Sequence, residues 1–204
     1  MLNDWGYDLV KLDFLYGACV LPMHNKTRGE IMCDAMDLLR ECVGDKLILG
    51  CGVPLMPAFG KVDYCRIGSD IALDWRHKKH MMREDVSTPH AVCNAIFRRH
   101  LDGRAWLNDP DVFLLRDTNI KTTFEQRKLL AKLNSIFGNL LFTSDDVAQY
   151  NGEQLTALLE AFDKKHYSVS RAEFVDKNIM EIDYSENGEA AHLKFNTATG
   201  ERLD

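Results

Sequence analysis

The chain has 204 residues, 46% of them apolar, with a formal net charge of -6 and a pI near 5.6. That length supports one full-sized core, or one core and a small appendage. Acids and bases are interspersed along the whole chain without a basic stripe, which argues against a nucleic-acid partner. No run of about eighteen apolar residues predicts a membrane span, and the first residues, Met1 to Gly6, lack the basic and apolar regions of a signal peptide.

The predicted elements open with an apolar run from Leu9 to Leu15, read as a strand. A helix follows over Lys26 to Cys42. Ile31, Ala35, Leu38 and Cys42 recur there at three and four residues, Thr27 and Glu30 form a capping box, and Gly44 ends the helix. Strands are predicted at Lys46 to Gly50 and Val62 to Ile67, and the Pro- and Gly-rich link between them has room for one helical turn at most. Next come a helix over about Val86 to Leu101 and a strand at Val112 to Leu115. A helix from Thr123 to Phe137 follows, with Phe124, Leu130, Leu133 and Phe137 on its apolar face. A strand at Leu140 to Phe142 leads to a helix from about Glu153 to Lys165, through Leu155, Leu158, Leu159 and Phe162. Strand and helix in alternation signify a parallel sheet with helical crossovers. After about Tyr167 the period changes to two: Met180, Ile182 and Tyr184, then Asn187-Gly188, then Ala191, Leu193 and Phe195. This predicts an antiparallel hairpin, the opening of a small C-terminal β domain.

Cys19, Cys33, Cys42, Cys51, Cys65 and Cys93 include no C-x-x-C pair, which argues against a zinc site and against a disulfide scaffold. Most are expected to be buried as small apolar residues, with thiols reduced in a cytoplasm. His77 and His80 have metal-compatible spacing, but a solvated loop is the simpler reading.

Chemistry gathers at predicted strand ends. Side-chain alternation puts Leu9, Lys11 and Asp13 on one face of the first strand and Val10, Leu12 and Phe14 on the other. A covered parallel strand is normally apolar on both faces, so the charged face suggests a polar interior at the strand's C-terminal end, where barrel enzymes keep their active sites. A structural ion pair or an exposed edge strand would read the same way. The second strand ends in Gly50-Cys51-Gly52-Val53-Pro54, whose glycines allow close backbone approach. The third ends in Cys65-Arg66-Ile67-Gly68-Ser69-Asp70, where Arg66 and Asp70 could also form a loop salt bridge. Thr143 to Asp146 reads as a helix cap. Two carboxylates suffice for glycoside hydrolysis: an ionised one attacks the anomeric carbon and the other gives a proton to the leaving oxygen. Lys11 would favour ionised Asp13, and a drier or more anionic setting would fit Asp70 for acid/base work. Asp74, Asp109 and Asp111 are rival carboxylates. Trp75, Trp106 and Phe113 could stack on a sugar face, with packing the better reading for Phe113.

Taken in order, Val10-Lys11-Leu12-Asp13-Phe14-Leu15-Tyr16 resembles the K-x-D nucleophile strand of glycoside hydrolase family 36 α-galactosidases. Gly50 to Leu55 resembles the family's C-G-x-P-L turn, and Cys65 to Asp70 its R-I-G-x-D acid/base segment. Asn108-Asp109-Pro110-Asp111 and Leu141 to Asp146 resemble its last two barrel strands. The resemblance covers roughly residues 5 to 150. It implies a partial (β/α)8 (TIM) barrel over residues 1–166 and the start of a β domain over 167–204. It also implies release of terminal α-linked galactose with retention, and no metal or organic cofactor. Asp13 would be the nucleophile and Asp70 the general acid/base, with Lys11, Cys51, Gly52, Arg66 and Trp75 as substrate-binding candidates. Related α-glycosidases and a non-catalytic carbohydrate-binding fragment are the alternatives. About five strands cannot close an eight-stranded barrel. The reading therefore expects a fragment of weak or no activity by itself, or copies that associate through open sheet edges.

Overall fold

The computed structural model describes residues 4–75, 86–163 and 165–204, so the histidines at positions 77 and 80 lie outside the described residues. The chain forms two compact units, one from Met1–Ile67 with His100–Asp109 and the other from Gly68–Arg99 with Pro110–Asp204.

The first unit is a parallel sheet of β1 (Leu9–Leu12), β2 (Leu47–Gly50), β3 (Tyr64–Arg66) and β4 (Leu107–Asp109), in that spatial order. Ile48, Leu49 and Cys65 fill its core. β1 stops short of the predicted Leu15 because Phe14 adopts a left-handed φ of 53° and a 3-10 turn begins at Leu15. β4 was not predicted from hydrophobic pattern, since Leu107-Asn108-Asp109 offers one apolar residue in three.

Helix α1 (Arg28–Val43) crosses from β1 to β2. Its capping box is formed as predicted: Thr27 Oγ accepts from the Glu30 N–H at 3.3 Å and Glu30 Oε2 accepts from the Thr27 N–H at 2.7 Å. Its buried stripe runs through Met32, Met36 and Val43, so the predicted stripe is corrected by one position: Leu38 and Cys42 face solvent. Two interleaved apolar stripes are present in this sequence, and the thioethers of Met32 and Met36 adapt better to an irregular sheet surface. The short link holds only α2 (Leu55–Ala58).

The second unit contains α3 (Thr88–Phe97), the parallel pair β5 (Val112–Phe113) and β6 (Phe142–Thr143), α4 (Phe124–Phe137) and α5 (Gly152–Phe162). Capping boxes at Thr123/Gln126 and Asn151/Gln154 start α4 and α5. The predicted apolar face of α5 is corrected: Leu155, Leu159 and Phe162 are exposed and Leu158 is half-buried, while Gln154, Ala157 and Ala161 are buried. Small residues let the backbones approach, and Ser135 Oγ of α4 donates to the Ala161 carbonyl at 3.1 Å.

The tail is more than the predicted hairpin. β7 (Tyr167–Asp176), β8 (Ile179–Glu186), β9 (Glu189–Asn196) and β10 (Glu201–Arg202) form an antiparallel sheet in the order β10-β9-β8-β7. Asn187 and Gly188 both have positive φ in the β8–β9 turn, as an Asn-Gly hairpin requires. Met180, Ile182, Tyr184, Leu193 and Phe195 make the buried face. On the other face Arg171 bridges Glu173, Glu181 and Asp183, with Lys194 on Glu181 and His192 on Asp183. β7 escaped prediction because its charges serve this ladder instead of a core.

Two expected outcomes arise here. Gly200 has φ +67°, and a Cβ there would lie 2.4 Å from Trp75 Cδ2, part of a rigid, buried indole. Gly200→Ala should cost about 2–4 kcal/mol, from left-handed backbone strain plus overpacking, read as a lower denaturation midpoint. Glu186 accepts from Lys132 and, at 2.6 Å, from Lys165; these bonds hold its carboxyl below the usual range against partial burial. A carboxylate with a depressed folded pKa stabilises above its unfolded value, and that stability is lost as pH falls through the folded value. Glu186→Gln should therefore flatten the acid side of the stability profile below about pH 4.5, and equal acid sensitivity of parent and variant would exclude the linkage.

Candidate active site

The sequence motifs at the exits of β1, β2 and β3 meet in the first unit. The β1–β2 register pairs Leu12 with Gly50, which brings Asp13 beside Cys51; the β2–β3 register pairs Gly50 with Cys65, which puts Arg66 next in line. Lys11 Nζ lies 3.4 Å from Asp13 Oδ2, and Asp13 Oδ1 accepts from the Phe14 N–H at 2.8 Å. The chain then turns at Phe14, whose φ of 53° is left-handed. Partial burial works against ionisation of Asp13, but the Cys51 thiol, the Phe14 N–H and the Lys11 charge outweigh it and hold the carboxyl below its ordinary range. Cys51 responds in the opposite sense: burial, then the hydrogen bond to Asp13, push its thiol up to about 12.

Gly52 has a structural reason to be glycine. With φ +61°, a Cβ would come within 3.2 Å of Tyr16 Cδ1 and 3.3 Å of Phe14 Cα, and the Tyr16 N–H donates to the Gly52 carbonyl at 2.8 Å. The turn after β2 is thereby clamped onto the turn after β1.

Arg66 is buried, and its Nε donates to Asp109 Oδ2 at 2.8 Å; Asp109 is fully enclosed. The two residues face each other in the β3–β4 register. Asp109, a rival carboxylate in the sequence, thus serves Arg66. Trp106 is buried too, with Nε1 donating to Asn108 Oδ1 at 3.1 Å and its ring 5.0 Å from that of Phe59, which is a packing role.

Asp70 belongs to the second unit and is exposed, so the drier of the two settings expected for it, drier or more anionic, is not found. Its backbone is fixed on both sides: the Asp70 carbonyl accepts from the Ser87 N–H at 2.8 Å, and the Ile71 N–H donates to Asp111 Oδ2 at 2.7 Å. Asp111 is buried with φ 84°, a conformation costly for a non-glycine residue. Trp75 is only 2% exposed, its Nε1 donating to the Thr197 carbonyl at 3.0 Å. The indole is enclosed by its own unit, which accounts for it by packing. Asp145, read as part of a cap, accepts from the Leu115 and Arg116 N–H groups and from Tyr150 Oη at 2.5 Å; it is Asp146 that caps the 3-10 turn Val147–Gln149. All six cysteines are free, but only Cys19, Cys51 and Cys65 are buried, fewer than expected.

Among the described residues no helix is long and apolar enough to cross a membrane. No model of a known protein family matches the chain. Solved α-galactosidases share its fold. TtGalA of Thermus thermophilus in complex with p-nitrophenyl α-D-galactopyranoside matches with a TM-score of 0.71 at 23% identity, over 93% of this chain and 38% of that enzyme. The same enzyme in complex with stachyose matches with a TM-score of 0.68 at 27% identity, over 79% and 35% respectively. α-Galactosidase I of Mortierella vinacea matches with a TM-score of 0.65 at 12% identity, over 96% and 53%. The chain therefore has the fold of a part of these α-galactosidases and spans about 38% of the length of TtGalA.

Proposed function

We propose that this chain corresponds to the C-terminal part of the catalytic (β/α)8 barrel of a retaining α-galactosidase, residues 1–166, with residues 167–204 opening a C-terminal β domain. The observation that carries this reading is the convergence of Lys11, Asp13, Cys51 and Arg66 at the ends of adjacent parallel strands. They gather in a fold shared with solved α-galactosidases, one of them holding an aryl α-galactoside and stachyose.

Asp13 attacks the anomeric carbon of a terminal α-linked galactose, and the bond to the leaving oxygen breaks as Asp70 protonates it. Asp70 then takes a proton from water, whose oxygen displaces Asp13 and restores the original configuration. Three donors around Asp13 favour the ionised form that a nucleophile needs. Lys11 and Arg66 supply charge-assisted bonds to sugar hydroxyls, Arg66 from a guanidinium that Asp109 already holds in one plane.

The test is hydrolysis by the purified, folded chain of aryl α-galactoside beside the β-galactoside, the α-glucoside and the N-acetyl-α-galactosaminide, with its mass in solution recorded. Weak release, from the α-galactoside alone and tied to an associated mass, is the expected result, and a monomer is expected to release none. Faster release from another α-glycoside would move the enzyme to a related specificity. Galactose binding without hydrolysis would leave a carbohydrate-binding role for this chain.

A further inference from the structure

We propose that the second unit holds one buried water molecule as a fixed part of its structure, bridging Thr122 Oγ1 and Arg127 Nε at the start of α4. The site is the same whether or not the chain hydrolyses a galactoside.

Arg127 lies near the start of α4 and is only 5% exposed. Its Nη1 donates to the Thr122 carbonyl at 3.2 Å and its Nη2 to Asp117, so the guanidinium cannot turn without giving up both bonds. That leaves Nε, which is buried and, like Thr122 Oγ1, has no hydrogen-bond partner among the described residues. A guanidinium nitrogen only donates, whereas a hydroxyl donates or accepts. Thr122 and Arg127 line one small cavity, walled by Ile71, Leu114 and Leu130. The other polar side chains that line it are already engaged. Trp75 Nε1 donates to the Thr197 carbonyl. Thr88 Oγ1 accepts from the Ala72 N–H at 3.1 Å and donates to the Ala72 carbonyl at 3.3 Å. Gln126 Nε2 donates to the Thr199 carbonyl at 2.6 Å, and its Oε1 accepts from the Thr123 N–H at 2.7 Å.

Size and charge select the occupant. The cavity encloses about 10 Å³, and one water needs roughly 10–15 Å³ of such space together with two to four polar partners. A halide or a polyatomic anion needs more room, and Asp117 already balances the Arg127 charge. Water accepts from the Nε–H and shares a second hydrogen bond with the Thr122 hydroxyl. Leaving a buried donor of a charged group unsatisfied costs more than immobilising one water. The bridge ties the segment before α4 to its first turns, against Ile71 and Ala72, the two residues that follow Asp70.

The test is cross-relaxation between the Arg127 Nε–H and the water resonance, read in the rotating frame on the ¹⁵N-labelled chain at mildly acidic pH, where exchange of that proton is slow. In that frame a long-lived contact and chemical exchange have opposite signs. The sign of a contact is expected in the parent and in Thr122→Ser, which keeps the hydroxyl. It should be lost in Thr122→Val, which keeps the shape and removes one of the water's two partners. No contact in the parent overturns the site, and equal intensity in Thr122→Val overturns the bridge. A crystal structure of the parent gives a second reading that needs no variant to fold. An ordered solvent peak about 2.7–3.2 Å from both atoms is expected, and its absence overturns the proposal. Crystals grown in bromide should show no anomalous peak there; a peak would assign the site to an anion and overturn the water.

Discussion

Asp13→Ala should lower hydrolysis of an aryl α-galactoside at least about a thousandfold, and azide should restore turnover with β-galactosyl azide as the product. A nucleophile contributes the covalent step itself, so its loss removes a reaction path and not a single contact. The small azide ion fits where the carboxylate was and attacks from the same face, giving one inversion in place of two. Asp70→Ala should behave differently: aryl groups that leave without protonation still depart, poorer leaving groups do not, and azide traps the galactosyl ester on Asp13 with retained configuration. Variants that lose activity together, with no azide product from either, would mean that neither carboxylate has its assigned role. Circular dichroism should show Asp13→Ala folded as the parent is.

How far the sequence carries a reader depends on whether the signal is local. The caps of α1 and α4 and the Asn187-Gly188 turn are legible because each uses chemistry contained within a few residues. The strand exits carrying Asp13, Cys51 and Arg66 are legible as motifs, and parallel register then brings them side by side. What fails is whatever depends on a distant partner. The α5 stripe of Leu155, Leu159 and Phe162 looks like a core face, yet the helix buries its alanines against α4. Trp75 looks like a sugar platform until Gly200, 125 positions later, is found against its ring. β7 lies outside the predicted hairpin because the acids that balance Arg171 lie partly on β8.

The second large effect concerns Asp109→Ala, which should destabilise the chain by about 3–5 kcal/mol, since a buried guanidinium loses a fully buried carboxylate partner. Arg66 and Asp109 have side-chain exposures of 5% and 0%, so solvent cannot replace the lost carboxylate without opening the sheet. The same pair also sets the plane of the guanidinium, because Nε is the atom engaged. The double variant Arg66→Met with Asp109→Leu should therefore be considerably more stable than Asp109→Ala, as the apolar pair brings no uncompensated charge into the β3–β4 seam. Chemical denaturation reads both. A cost below about 1 kcal/mol for Asp109→Ala would mean that water reaches the guanidinium in solution, and that the pair is a surface bridge in effect. If the double variant regains stability while hydrolysis stays lost, the charged pair at this seam serves the substrate. Recovery of both would assign Arg66 to the architecture of the sheet alone.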